Sequence, residues 1–351
     1  MRKTFDHRDL DVAPVERAWT IPSDWYTDPA MAEIDRQSVL AKSWQYAGPL
    51  QWMDRPGAVH PVDIAGEPVI LVRGDRIRAF YNVCKHRGGP LATEPECRKT
   101  LSCKYHGWTY RLDGSLRGVP KFDRAELFDP DAFGLTELSV MTWGGLVFVR
   151  LQAGGWESDE VLTPIATEIR PIALDAMRFR ERVVYDLDCD WKVYVDNYLE
   201  GYHIPHVHPD LCDLLTFSEY HTRIDTWGSL QTSPIQSSDS IYGAGTAWYY
   251  HLWPNTMLNI LPGRMQVNTV VPQGHRRTRV VFDYYMTDGG GDLVADMAFS
   301  DHVQREDQRI CEQVQRGLES RGYERGRYSV EMEQAVWRFH SLLRQAYSQR
   351  P

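Results

Sequence analysis

Two short segments in the first third of the chain place sulfur beside imidazole: Cys84-Lys85-His86 and Cys103-Lys104-Tyr105-His106, with sixteen residues between His86 and Cys103. Each follows a run of strand character and borders glycine, at Gly88-Gly89 and at Gly107. Glycine permits the tight turns that aim backbone amides at sulfur. Two thiolates and two imidazoles suit a two-iron, two-sulfide cluster in which a cysteine pair holds one iron and a histidine pair the other. The neutral imidazoles would raise its reduction potential above that of an all-cysteine cluster. A structural zinc accepts the same four donors. Zinc loops usually pair like with like, however, and both loops here mix sulfur with nitrogen. Cys97, between the loops, reads as structural or incidental.

The second dense group is Asp196-Asn197-Tyr198-Leu199-Glu200-Gly201-Tyr202-His203-Ile204-Pro205-His206-Val207-His208-Pro209. Asp196, Glu200 and His203 stand at i, i+4 and i+7, so a helix here carries them on one face. Pro205 is expected to end that helix just past His203 and let the chain bring His208 back toward it. Two imidazoles meeting one metal need a third ligand. A long helix expected over Leu293 to Leu318 offers one, because Val303, Asp307, Ile310, Val314 and Leu318 follow its period as one largely apolar stripe. Asp301 and Glu312 fall on the opposite face and Glu306 at the margin. A carboxylate facing the core is costly unless it pairs with an arginine or binds a cation. Two histidines with one carboxylate make the facial triad of non-heme Fe(II) oxygenases, which leaves coordination positions open.

The elements that must position these groups fall into two parts. Pro68 to Val72, a turn at Gly74-Asp75 and Ile77 to Tyr81 read as a strand pair. Thr109 to Arg117 repeats the pattern around Asp113-Gly114, and Gly145 to Val149 closes a β-rich region. Residues 45–155 are therefore expected to form one all-β domain. Residues 1–44 and 156–351 would form the other, with a short helix from Pro29 to Ser43. A strand at Val183 to Leu187 leads into a helix near Trp191, and a strand pair (Met265 to Val270, Thr278 to Tyr285) precedes the long helix. Grouped strands closed by a helix indicate α+β.

At 351 residues, two domains are the natural expectation. A net charge of −9 argues against nucleic acid or an anionic membrane as partner. The charged stretch Met1 to Asp9 lacks the apolar core of a signal peptide, and no apolar run approaches the ~20 residues that span a bilayer. Six cysteines are too few for a disulfide framework at this length. A cytoplasmic protein is expected.

The loops around Cys84, His86, Cys103 and His106 resemble those of the Rieske family over residues 45–155. The respiratory branch has a further cysteine in each loop; Gly88, Gly89, Lys104 and Tyr105 stand here instead, which fits the oxygenase branch. Asn197, Glu200, Tyr202, His203 and His208 resemble the catalytic motif of Rieske oxygenase α subunits. That likeness selects His203 and His208 over His206 and supports Asp307 as third ligand. It implies a Rieske [2Fe–2S] cluster, a mononuclear Fe(II) and a helix-grip (START-like) catalytic domain, its antiparallel sheet wrapped around a long C-terminal helix. It also implies O2 as co-substrate, a homotrimer, and electrons from NAD(P)H through a separate reductase, with or without a ferredoxin. A bridging carboxylate falls at Glu200, expected to hydrogen-bond His203 and His106 of the partner subunit.

The run Trp248-Tyr249-Tyr250-His251-Leu252-Trp253 could cage a quaternary ammonium head group, line a hydrophobic wall, or be plain core. Trp253 to Met257 and Val314 to Leu318 resemble the choline, glycine betaine and carnitine oxygenase branch. That implies hydroxylation of a quaternary ammonium compound or its N-demethylation, the latter through N-methyl hydroxylation with loss of formaldehyde. Hydroxylation or cis-dihydroxylation of an aromatic compound is the alternative, and an electron carrier without oxygenase activity a remoter one.

Overall fold

Four consecutive residues, Val69 to Val72, are fully buried, and their alternation explains why a strand can be apolar on both faces. Ile70 and Val72 point into one core with Phe80, Leu101, Trp108 and Tyr110; Val69 and Leu71 point into another with Ala79, Val147 and Val149. The computed structural model describes residues 5–170, 172–235 and 244–349, so the first four residues of the charged Met1 to Asp9 stretch lie outside them. The chain divides into two units: Ala41–Gly154, and Met1–Leu40 with Gly155–Pro351.

The unit Ala41–Gly154 is built on β1 (Gln45–Pro49), β2 (Ala58–Ile64), β3 (Glu67–Arg73), β4 (Ile77–Tyr81), β5 (Glu96–Cys97), β6 (Leu101–Ser102), β7 (Thr109–Tyr110), β8 (Leu116–Gly118), β9 (Glu137–Trp143) and β10 (Leu146–Arg150). Seven strands run in the order β1-β10-β9-β4-β3-β2-β5, and β6-β7-β8 form a second, small sheet. The expected Asp113-Gly114 turn closes β7 on β8. Asp113 accepts from Ser115 N at 2.9 Å, and a Cβ on Gly114 (φ +86°) would lie 2.5 Å from the Phe80 ring. Only glycine fits there. At the neck of this unit Gln152 N donates to Ala41 O at 2.9 Å.

The other unit carries β11 (Arg178–Leu187), β12 (His221–Asp225), β13 (Gly228–Pro234), β14 (Thr246–Leu252), β15 (Thr256–Leu261), β16 (Arg264–Pro272) and β17 (Thr278–Met286). They form one antiparallel sheet in the order β11-β17-β16-β15-β14-β13-β12. The helix Trp191–Tyr198 and the 26-residue helix Leu293–Leu318 belong to the same unit. So does the amino-terminal segment. Asp35, fully buried, takes Lys192 Nζ at 2.6 Å, Trp191 Nε1 at 2.9 Å and the Tyr347 hydroxyl, while Asp190 faces the same Lys192 at 2.9 Å. A buried ammonium is tolerated because two carboxylates surround it.

Three expectations need correction. The helix over Pro29 to Ser43 is an α-helix only at Ala30–Asp35, continuing as one π-turn at Arg36–Leu40. The long helix buries Asp296, Gln304, Cys311 and Gln315, not the apolar stripe, and Val314 is exposed. The buried glutamines serve as partners: Gln304 takes the Tyr194 hydroxyl, and Gln315 caps the Asp190 amide. Asp301 and Glu312 also engage the fold, accepting from the Tyr185 hydroxyl and the Asp188 amide. A further helix, Gln334–Ser348, had no counterpart in the sequence reading. Among the described residues no helix is long and apolar enough to cross a membrane.

Candidate metal centres

In the unit Ala41–Gly154 the two loops repeat each other. Cys84 N donates to Gly89 O and Gly88 N to Cys84 O; Cys103 N donates to Trp108 O and Gly107 N to Cys103 O, all at 2.8–3.0 Å. Gly88 and Gly107 share φ +75°, the left-handed conformation that makes each turn. A Cβ on Gly89 would approach Cys103 Sγ to 2.9 Å, so the chain runs against the sulfur. Both cysteines are buried, and Cys84 Sγ lies 3.3 Å from the Tyr110 hydroxyl, which also accepts from Lys85 N. His86 stacks on Trp108 (4.9 Å, 6°) and meets His106 edge-on at 4.7 Å. His86 Nδ1 is buried without a hydrogen-bond partner among the described residues. Desolvation, aided by His86 and Arg87, lowers the His106 pKa and favours the neutral ring that a metal takes.

The spread of these donors bears on the two readings left open. A single zinc draws its ligands to one point, but no three of Cys84, His86, Cys103 and His106 bring ligand atoms within 4.8 Å of one another among the described residues. A cluster that spreads sulfur and nitrogen donors over two irons fits the arrangement. Cys97 is exposed and bonds only locally, to Pro56 O.

In the other unit the helix Trp191–Tyr198, capped at Asp190, stops before Glu200. The shared face of Asp196, Glu200 and His203 is therefore not formed. Gly201 starts a turn packed so closely on Tyr220 that a Cβ would lie 2.7 Å from its ring. Pro205 does not end the helix; it sits in the first turn of a new one, Ile204–Val207, which His203 immediately precedes. The return to His208 expected of this segment does occur, through two short helices, because His208 lies between Ile204–Val207 and Pro209–Leu214.

His203, His208 and Asp307 bring one ligand atom each within 4.8 Å, the one such group among the described residues. Asp307 Oδ1 is 2.9 Å from His208 Nε2 and 3.7 Å from His203 Nε2, and it accepts from Asn197 Nδ2 at 2.6 Å. Each imidazole is fixed from behind by a glutamate: Glu200 Oε1 lies 2.7 Å from His203 Nδ1, and Glu306 Oε2 lies 2.7 Å from His208 Nδ1. Glu200 also caps His203 N at 3.0 Å. Burial opposes charge on His208, but Asp307 and Glu306 outweigh it and raise its pKa. A neutral His208 that donates Nδ1–H to Glu306 points its Nε2 lone pair at a carboxylate oxygen. That contact demands a cation between them, a proton or a metal. The donor set fits a hard divalent iron.

His206 is exposed. Asp196 turns away, accepting from the Tyr26 hydroxyl at 2.6 Å and pairing with His340 Nε2 at 2.9 Å. Glu306, placed at the margin of the helix by sequence, is the residue that reading missed; its one signal is its position beside Asp307.

Both imidazoles and Asp307 line a cavity walled by Tyr198, Tyr220, Tyr249 and Phe299. Strand register sets the wall: Gln231, Tyr249, Asn259 and Gln266 are cross-strand partners on one face of the sheet. Of the aromatic run Trp248 to Trp253, only Tyr249 lines it; the Tyr250 hydroxyl bonds Glu168 and Trp253 packs on Phe339.

Comparison with known proteins gives the families that the two regions resemble. Residues 43–134 match the Rieske [2Fe-2S] domain, and residues 174–349 match the ring hydroxylating alpha subunit catalytic domain. The chain is 35% identical to chloroplastic choline monooxygenase of Arabidopsis thaliana, covering 94% of this chain and 83% of that one. It is 31% identical to the carnitine monooxygenase oxygenase subunit of Escherichia coli K12, covering 95% of each. A quaternary ammonium Rieske monooxygenase structure superposes with a TM-score of 0.87 at 29% identity, over 97% of this chain and 98% of the other. Naphthalene 1,2-dioxygenase from Rhodococcus shares the fold at 17% identity, with a TM-score of 0.79 over 96% of each chain.

Proposed function

This chain belongs to the Rieske ring-hydroxylating oxygenases, and from that premise we propose that it is the oxygenase component that hydroxylates an N-methyl group of a quaternary ammonium compound. Its cofactors are a [2Fe–2S] cluster and a mononuclear iron, and its electrons come from a separate reductase. Cys84 and Cys103 would hold one iron of the cluster, His86 and His106 the other. His203, His208 and Asp307 would hold the mononuclear iron, a reading supported by their convergence within 4.8 Å. When bound, the two groups supply one-electron transfer and dioxygen activation.

The rest falls to side chains. Glu200 and Glu306 set the tautomer and direction of the two imidazoles. Asn197 orients Asp307. In a ring of three copies, Glu200 would also accept from His106 of the partner subunit. The cavity aromatics exclude water and receive the substrate head. Tyr198 donates its hydroxyl to Asn259 Oδ1 at 2.7 Å and Tyr220 to Gln231 Oε1 at 2.8 Å, so their polar tips are engaged with the protein. A quaternary ammonium has no N–H to donate and is held by π faces. This cavity wall is the observation that carries the substrate class. One oxygen atom would enter the methyl group and the other leave as water, with two electrons and two protons consumed. The resulting carbinolamine would lose formaldehyde and a proton to give the tertiary amine. Six unpaired cysteines favour a reducing compartment, the cytoplasm.

A reductase-coupled assay that follows oxygen uptake with formaldehyde tests this reading. Formaldehyde formed in step with oxygen from trimethylammonium compounds, and not from arenes, supports it. Diol or phenol product from arenes alone would replace it.

A further inference from the structure

We infer that the Tyr249 hydroxyl is a substrate-recognition donor, bonding an oxygen at the far end of the quaternary ammonium compound, so that the cavity prefers substrates carrying a hydroxyl or carboxylate over their alkyl counterparts. The inference rests on the substrate class proposed above. Tyr194, Tyr198, Tyr220 and Tyr249 line the cavity that His203, His208 and Asp307 also line. Three of these hydroxyls are engaged with the protein, each donating to a side-chain amide oxygen: Tyr194 to Gln304 Oε1, Tyr198 to Asn259 Oδ1 and Tyr220 to Gln231 Oε1. The Tyr249 hydroxyl has no hydrogen-bond partner among the described residues. A phenol packed into protein ordinarily finds one. Tyr249 is so packed: its ring lies against the core of Leu215, Ile235, Ala247 and Leu261, and burial alone raises its pKa. The group is therefore a neutral O–H at working pH. It is not sealed in, however. The residue is only half-buried, and its oxygen is not one of the enclosed polar atoms that lack a partner.

Strand register explains the missing partner. Tyr249 on β14 stands between Gln231 on β13 and Asn259 on β15. Both of those amide oxygens already accept from other tyrosines, and Gln231 Nε2 donates to Tyr198 O at 2.8 Å. Cross-strand neighbours keep their Cβ atoms about 5 Å apart, so the longer tyrosine reaches past both amides into the cavity. Asn259, its oxygen taken by Tyr198, keeps Nδ2 as a second donor; that nitrogen too has no partner among the described residues and is not enclosed. Two neutral donors one strand apart call for an acceptor. The ammonium head offers none and is held by π faces, so the acceptor must be an oxygen elsewhere on the substrate. An alkyl chain in its place would strip water from the hydroxyl and leave it unpaired, a loss larger than the net contribution of one hydrogen bond.

The test uses the iron-replete, reductase-coupled enzyme and two matched pairs, with oxidised product read by mass spectrometry. Choline is paired with propyltrimethylammonium, where methyl replaces hydroxyl. γ-Butyrobetaine is paired with (4-methylpentyl)trimethylammonium, where a branched alkyl end replaces carboxylate. The wild type is expected to favour the oxygen-bearing member of at least one pair by about tenfold or more in kcat/KM, and the favoured pair identifies the oxygen. Tyr249→Phe keeps the ring and removes the donor. It should raise the KM of that member by about three- to tenfold for a hydroxyl, or about tenfold or more for a carboxylate, and shift the KM of its alkyl partner by less than about twofold. kcat and iron content should stay near wild type, whereas a merely structural role would lower kcat for both members alike. Equal kcat/KM within both pairs in the wild type, or equal losses for both members in Tyr249→Phe, would overturn the anchor and leave the hydroxyl to water. Should the variant fail to fold, the wild-type comparison still decides. A wild type that oxidises none of the four compounds removes the substrate class and the anchor with it, a result distinct from equal turnover within each pair.

Discussion

In the unit Ala41–Gly154 all four candidate cluster ligands lie between Cys84 and His106, and two backbone turns repeat each other bond for bond. In the unit that contains residues 155–351, His208 and Asp307 are 99 positions apart in the chain and meet with His203 through side chains held by Glu306 (His208), Asn197 (Asp307) and Glu200 (His203). The first site is shaped by main chain and the second by carboxylates. A main-chain site keeps its frame when one side chain is removed, while a carboxylate-built site depends on each supporting contact.

Substitutions can break or sharpen this contrast. The largest effect is expected for Asp307→Ala: loss of the mononuclear iron and of all product, with the visible spectrum of the cluster and two labile sulfides per chain retained. Metal and sulfide analysis on one sample checks it, and joint loss of both centres would deny that the sites are built independently. Glu200→Ala should also weaken iron binding, but reconstituted with excess ferrous ion to three irons per chain it should keep a reducible cluster and still lower product formation by about a hundredfold or more, the scale of a lost positioning contact. Single-turnover kinetics from the reduced cluster would reveal it, and full turnover would remove Glu200 from the proposed bridge. Glu306→Ala should weaken iron binding by about 10–100-fold, the range for a lost partner of a ligating histidine. Glu306→Gln, which keeps an acceptor for His208 Nδ1, should restore most of it; titration of the metal-free protein with ferrous ion measures both. The smallest change belongs to the main-chain site. Tyr110→Phe removes the hydroxyl 3.3 Å from Cys84 Sγ and should lower the cluster's reduction potential, leaving iron content untouched.

The same contrast decides how much was legible in the sequence. The cluster loops could be read because ligands, glycines and strands are neighbours in the chain. The strand pair on either side of Gly74-Asp75, the Asp113-Gly114 turn and the helix Leu293–Leu318 came from period and turn chemistry for the same reason. The second site was legible only in part. His203, His208 and Asp307 converge, but Asp196 was misplaced because the helix ends at Tyr198, where the tight packing of Gly201 on Tyr220 takes over. The apolar period of the long helix misled because its buried face meets polar partners, such as Tyr194 and the Asp190 amide. Glu306 went unclaimed since nothing local indicates that His208, 98 positions earlier, needs an acceptor. Strand alternation, invisible until register is known, separates Tyr249 from Tyr250 within one aromatic run.

The hydrogen bond between Gln152 and Ala41 has an architectural consequence. The redox unit leaves and rejoins the polypeptide at a single doorway, so it is a cassette spliced into a host whose own chain resumes at Gly155. Domains with adjoining ends can be transplanted or replaced with little cost in loop closure.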